Sequence, residues 1–256
     1  MDTVALGKSG LDVSRLGFGT GTHGWAGRSD QTDIGLRELA DLVRYAYDRG
    51  VTFWDSADQY GSHPHVARAL SGLDRDAVVL VTKTCARSAK EAEKDMDRYL
   101  KELGTDRLDI VLMHCMTASD WPNAQADVME VLAKKKAAGL IRAHGISSHS
   151  LDALDRAADT PWVDVVLARI NYAGANMDGP PERVIPILKR MDRAGIGVYG
   201  MKVLGCGKLT HDVRNAIGFV LDLPSVDAIT IGMKNRQEVD ENIGWVEAHD
   251  RALQTA

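Results

Sequence analysis

The chain has 256 residues, 45% hydrophobic and 26% charged side chains and a formal net charge of −5, which suggests neither disorder nor a basic surface for nucleic acid. No apolar run approaches the roughly 20 residues needed to cross a bilayer, and residues 1–8 lack the basic-then-apolar order of a secretion signal. Cys85, Cys115 and Cys206 show no pair-like spacing, so the expected setting is a reducing cytoplasm, without disulfides and without membrane or nucleic-acid partners.

In chain order, Leu6 to Ser14 alternates apolar residues around Gly10 and predicts a β-hairpin. Eight β-rich runs follow: 15–20, 52–56, 78–83, 109–114, 143–147, 165–171, 197–203 and 227–232. Helical patterns separate most of them. Ser88 and Glu91 form a capping-box pattern ahead of a charged helix that stops at Gly104. Pro180-Pro181-Glu182 opens a helix running to Gly195, Ser150 and Asn235 are expected N-caps, and a further helix is expected around His211–Leu223. Strands and helices alternating about every 30 residues predict an α/β fold, a closed (β/α)8 TIM barrel in a single domain over residues 1–256, with the hairpin closing its bottom. An open doubly wound sheet would carry a glycine fingerprint after its first strand, and Gly17-Phe18-Gly19-Thr20-Gly21 has the wrong spacing.

Barrel active sites form at the C-terminal ends of the strands. Asp55, Lys83 and His114 stand at the ends of the second, third and fourth predicted strands, and Tyr60 lies in the loop after the second. A free phenol, with a pKa of about 10, is a weak acid at neutrality. A neighbouring ammonium lowers that value, so Lys83 is expected to activate Tyr60, with Asp55 holding Lys83 charged and His114 orienting a carbonyl oxygen. His63-Pro64-His65 lacks a carboxylate at matching spacing, so no metal site is expected. Cys85 and Cys115 lack the histidine-paired context of a nucleophile.

These motifs give the chain a resemblance to the aldo-keto reductases that runs from Leu6 to about Asn242. Leu6 to Thr20 looks like the family's opening, and Asp55-Ser-Ala-Asp-Gln-Tyr60-Gly61 matches its Asp-x-Ala-x-x-Tyr-Gly motif. Gly139 to Ser148, Met201 to Gly205 and Ile231 to Asn242 resemble its later cofactor-binding segments. The resemblance implies an NAD(P)H-dependent oxidoreductase that reduces an aldehyde or ketone reversibly, with Tyr60, Lys83, Asp55 and His114 as the catalytic tetrad. The implied cofactor is NADPH, with NADH possible, held by Thr20, Ser147, Ser148, Arg169, Met201, Lys202, Lys234, Arg236, Glu241 and Asn242.

Some positions depart from the family pattern. Ser148 replaces a frequent asparagine, Arg169 a common glutamine, and Met201 a tyrosine that stacks on nicotinamide. Glu238 stands where an arginine often meets a 2′-phosphate, which leaves Lys234 and Arg236 as the nearby cations. A small-molecule carbonyl substrate is expected in an open pocket walled by His23, Trp25, Met116, Trp121 and Tyr172. Two alternatives share the barrel: a Schiff-base aldolase using Lys83 or Lys202, and a cofactor-binding regulatory protein with little turnover.

Overall fold

The computed structural model describes residues 1–254. It opens with the expected hairpin, β1 (Thr3–Ala5) antiparallel to β2 (Asp12–Ser14). The chain then alternates through β3 (Leu16–Gly19), α1 (Leu36–Asp48), β4 (Phe53–Asp55), α2 (His63–Leu70), β5 (Val79–Thr84), α3 (Ala89–Leu103) and β6 (Leu108–Met116). It continues through α4 (Trp121–Ala124), α5 (Ala126–Ala137), β7 (Ile141–Ser148), α6 (Leu151–Ala158), β8 (Val165–Arg169) and α7 (Pro181–Ala194). β9 (Gly197–Met201), α8 (Val213–Leu221), β10 (Ala228–Gly232) and α9 (Arg236–Gln254) complete it. Strands β3 to β10 pair in parallel and close into an eight-stranded barrel, with β10 against β3. All eight predicted runs are strands, with ends shifted by a residue or a few. The eighth helix starts at Val213 rather than His211.

The helix signals act as their chemistry demands. Ser88 Oγ accepts from the Glu91 amide while Glu91 Oε2 accepts from the Arg87 amide, a reciprocal cap on α3. Ser150 Oγ accepts from the Ala153 amide at the start of α6. α3 and α7 end at Gly104 and Gly195 in the left-handed conformation.

Alternation along each strand divides the core into two layers. Leu16, Phe18, Trp54, Leu80, Val111 and Ile146 face the helices. Phe53, Val79, Val81, Ile110, Leu112, Leu167 and Tyr199 face the lumen. The hairpin plugs the lumen from below, where Leu6, Leu11 and Val13 join the inward cluster. The inner layer is therefore packed from the bottom upward, and the mouth is left for polar side chains.

Leu6 is fully buried at that plug. Leu6→Ala is expected to cost about 2–4 kcal/mol of stability through the cavity it leaves, as read from urea unfolding followed by circular dichroism.

Candidate active site

The same alternation that buries Phe53, Val81 and Leu112 brings the next inward residues, Asp55, Lys83 and His114, to the mouth. Lys83 is fully buried. Its Nζ donates to Asp55 Oδ1 at 2.6 Å and to the Ser56 carbonyl at 2.8 Å, and lies 4.8 Å from the centre of the Tyr60 ring. Asp55 Oδ2 accepts from Tyr199 Oη at 2.7 Å. Tyr60 ends a single 3₁₀ turn, Asp58–Tyr60, beyond β4, and its Oη lies 3.4 Å from His114 Nε2 with the two rings edge to face. The four predicted catalytic residues thus converge.

Two devices fix Tyr60. Gly21 and Gly24, on the loop after β3, lie flat against its ring, and a Cβ at either would fall inside the ring's van der Waals shell. On the other side, Arg98 of α3 donates to both carboxylate oxygens of Asp58, two residues before Tyr60, at 2.7 and 2.9 Å. Arg98 also binds Asp95 and Glu102. The sequence places no carboxylate beside His63, yet the fold brings both Asp58 and Glu102 to it. Arg98 binds both acids, and Glu102 and Thr82 take the two ring nitrogens of His63. The group is satisfied as an ion-pair network.

The electrostatics correct one expectation. Burial, and next the charge of Asp55, push the Tyr60 phenol well above its usual range, so Tyr60 holds its proton at neutral pH. Lys83 does not offset this, because its ammonium is engaged by Asp55 and Ser56 and lies over the ring face rather than at the oxygen. Burial lowers Lys83 itself, and Asp55 opposes that shift. Burial, aided by the Lys83 charge, holds His114 well below its usual range, so it is a neutral imidazole.

Each of the two cysteines, expected to lack a histidine partner, has one. Cys85 Sγ lies 3.8 Å from His114 Nδ1, and burial pushes its thiol up to about 11. A protonated Cys85 can donate to Nδ1, which leaves the His114 hydrogen on Nε2, facing Tyr60. Cys115 Sγ lies 3.5 Å from His149 Nε2, while His149 Nδ1 accepts from Arg169 at 2.6 Å. Burial raises Cys115 as well, so neither thiol is an activated nucleophile.

From the mouth a cleft of about 420 Å³ runs between the loop after β3 and the ends of β9 and β10. Of the predicted residues, His23, Met201, Lys202, Lys234, Glu241 and Asn242 line it together with Asp55 and Tyr60. Thr230 Oγ1, on the same wall, is buried without a hydrogen-bond partner. An unpaired hydroxyl, two lysines and a carboxylate–amide pair fit a polyhydroxylated, anionic ligand such as an extended dinucleotide.

Other predicted residues are placed elsewhere, for identifiable reasons. Thr20 Oγ1 donates to the Asp55 carbonyl and also bonds Ser62, bracing the strand end. Ser147 Oγ accepts from the Cys115 amide at 2.9 Å. Ser148 has outward parity and donates to the Ser150 carbonyl. Arg169 is held by Asp178 and His149. Arg236 leaves the cleft to stack on Tyr45, its guanidinium carbon 4.7 Å from the ring centre. Glu238 lines the cleft but caps α9, accepting from the Lys234 amide while Asn235 accepts from the Glu238 amide.

The pocket walls are corrected most. Trp25 is 56% exposed, with its ring 6.5 Å from His114, and stands at the mouth. Met116 would face inward by alternation, but Cys115 has left-handed backbone (φ 59°) and the register shifts between Met113 and Met116. Met116 therefore packs in the helix layer, as does Trp121, whose Nε1 donates to the Ala153 carbonyl. Tyr172 turns to Asp212 and Phe219. Tyr199 was not foreseen: within Gly-Val-Tyr-Gly it reads as core filler, and only its inward parity hints at a role.

Asp55, Tyr60, Lys83 and His114 thus share one mouth of a closed parallel barrel. The model of the Aldo/keto reductase family matches residues 15–218, and the chain belongs to that family. It is 31% identical over 234 residues to aldo-keto reductase YhdN of Bacillus subtilis, a match covering 83% of this chain and 66% of that one, slightly less than two thirds of the relative's length. It is 26% identical to L-galactose dehydrogenase of Arabidopsis thaliana, over 94% of this chain and 87% of the relative. A crystal structure of a putative aldo-keto reductase from Pseudomonas aeruginosa superposes with a TM-score of 0.79 at 28% identity, covering 98% of this chain and 96% of that one. Among the described residues no helix is long and apolar enough to cross a membrane.

Burial, and then the charge of Arg169, lower His149 from 6.5 to about 3. The unfolded chain binds this proton below 6.5 while the folded one does not, so stability is full above 6.5, falls from 6.5 towards 3 and is level below. His149→Gln should flatten that slope, which one such histidine sets at about 1–2 kcal/mol by about pH 5. Urea midpoints at neutral and acid pH measure it.

Proposed function

We propose that the protein is an NAD(P)H-dependent reductase of small-molecule aldehydes or ketones, acting reversibly. The observation that carries this reading is the protonated Tyr60, in contact with neutral His114 and over the Lys83–Asp55 pair at the mouth of a cleft suited to a dinucleotide. When bound, the nicotinamide cofactor supplies the hydride. The chain's own residues handle the oxygen: His114 Nε2–H hydrogen-bonds the substrate carbonyl, and Tyr60 Oη gives it a proton. The Lys83 ammonium lies over the Tyr60 ring throughout, and in the oxidative direction the phenolate takes the proton back. A donor that keeps its proton at neutral pH suits reduction, and charge developing on the substrate oxygen supplies the driving force for transfer.

Met201, Lys202, Glu241 and Asn242 are proposed to line the cofactor, with Thr230 offering its free hydroxyl. With Arg236 stacked on Tyr45, Lys234 is the cation we assign to a 2′-phosphate, which favours NADPH. Glu238 in the same cleft keeps NADH in view. Among relatives, one from Schizosaccharomyces pombe carries NADP(+) in its name, and an NADH-specific methylglyoxal reductase comes from Escherichia coli. Schiff-base chemistry at Lys83 is disfavoured, since both Asp55 and Ser56 hold it as an ammonium. The net charge of −5 agrees with a small-molecule substrate rather than nucleic acid.

Tyr60→Phe should lower kcat by about 10²–10⁴-fold and leave cofactor Kd within about twofold, as measured by NAD(P)H oxidation on a carbonyl panel and by fluorescence titration. Full turnover in that variant would sink Tyr60 as the acid. Lys234→Ala should weaken NADPH by about tenfold and leave NADH unchanged; equal effects on the two cofactors would remove Lys234 from the 2′-phosphate.

A further inference from the structure

Tyr199 lies on β9, and β3 and β10 separate that strand from β4, which carries Asp55. Its side chain therefore reaches Asp55 through the lumen. The ring is fully buried edge to face against Phe53, 5.0 Å between centres, and its hydroxyl donates to Asp55 Oδ2 at 2.7 Å. Asp55 is itself buried, and its other oxygen, Oδ1, takes the Lys83 ammonium at 2.6 Å. Packing explains the ring, since a phenylalanine would fill the same space. It does not explain the hydroxyl, which sits at the one position where Asp55 Oδ2 needs a donor away from water.

We propose that Tyr199 is a positioning residue for the carbonyl-reduction site: its hydroxyl fixes the Asp55 carboxylate across the lumen, and Asp55 in turn fixes the Lys83 ammonium under the Tyr60 ring. The inference rests on the reductase reading for its kinetic consequences. Without this donor, Asp55 Oδ2 is buried and unpaired, and the carboxylate is free to rotate about its Cβ–Cγ bond to share both oxygens with Lys83. The ammonium then leaves its place 4.8 Å from the Tyr60 ring centre. Burial keeps the Tyr199 phenol protonated, so it donates throughout the neutral range. Its order of influence is distinct from that of Tyr60: Tyr199 acts on the acid through two other side chains.

The test is Tyr199→Phe beside Tyr60→Phe, with kcat, KM and the pH profile measured at saturating cofactor. The expected result is a fall in kcat of about tenfold or more with KM within about twofold, and a displaced basic limb of the kcat profile. Wild-type kcat and profile in Tyr199→Phe, with Tyr60→Phe inactive, would overturn the positioning role and leave the reductase reading standing. A second pair guards against a folding defect. If the role runs through Asp55, Tyr199→Phe added to Asp55→Asn should cost nothing more, whereas losses that multiply overturn it. If the wild type reduces no carbonyl, the reductase reading fails instead. The Lys83 ammonium resonance in ¹⁵N-lysine-labelled protein, assigned by its loss in Lys83→Met, then decides: a displaced titration in Tyr199→Phe supports positioning, and an unchanged one overturns it.

Discussion

A lysine ammonium without solvent contact is the constraint around which the mouth of this barrel is arranged. Left unpaired in the apolar lumen, Lys83 would cost several kcal/mol and shed its proton. The Asp55 carboxylate and the Ser56 carbonyl keep it charged in place. The rest follows from that charge. It lowers His114 further and so keeps the imidazole neutral. It gives the face of the Tyr60 ring a cation to rest on. Three of the four converging side chains come from the barrel wall, and only Tyr60 is supplied by a loop.

Much of this was legible from strand periodicity alone. Asp55, Lys83 and His114 share inward parity with apolar residues two positions earlier, and a parallel barrel brings such ends together. The hairpin plug and the caps at Ser88, Ser150, Gly104 and Gly195 were equally local, each set by a few adjacent residues. Where the reading failed, the cause was an interaction with distant residues or a break in the period. The left-handed backbone at Cys115 reverses the parity of Met116 without any glycine to announce it. Arg236 is drawn away by Tyr45, nearly two hundred positions earlier in the chain. The Tyr60 acidity differs from expectation because residue type shows a nearby lysine but not the burial of the phenol, nor the Asp55 charge acting on it.

The start of α9 illustrates how a cleft wall and a helix cap draw on the same residues. Glu238 reads as a charge facing a phosphate, yet its carboxylate oxygens accept from the Lys234 amide and the Asn235 side chain. Part of its charge is thereby taken up by the helix terminus. Lys234 donates its backbone amide to that cap and also lines the cleft.

The glycine shelf beside Tyr60 belongs to two surfaces at once. Gly21 and Gly24 hold the phenol by having no side chain, and their loop also supplies Gly21, Thr22 and His23 to the cleft wall. A change in that loop's backbone would therefore move the cleft wall and the support of the Tyr60 ring together.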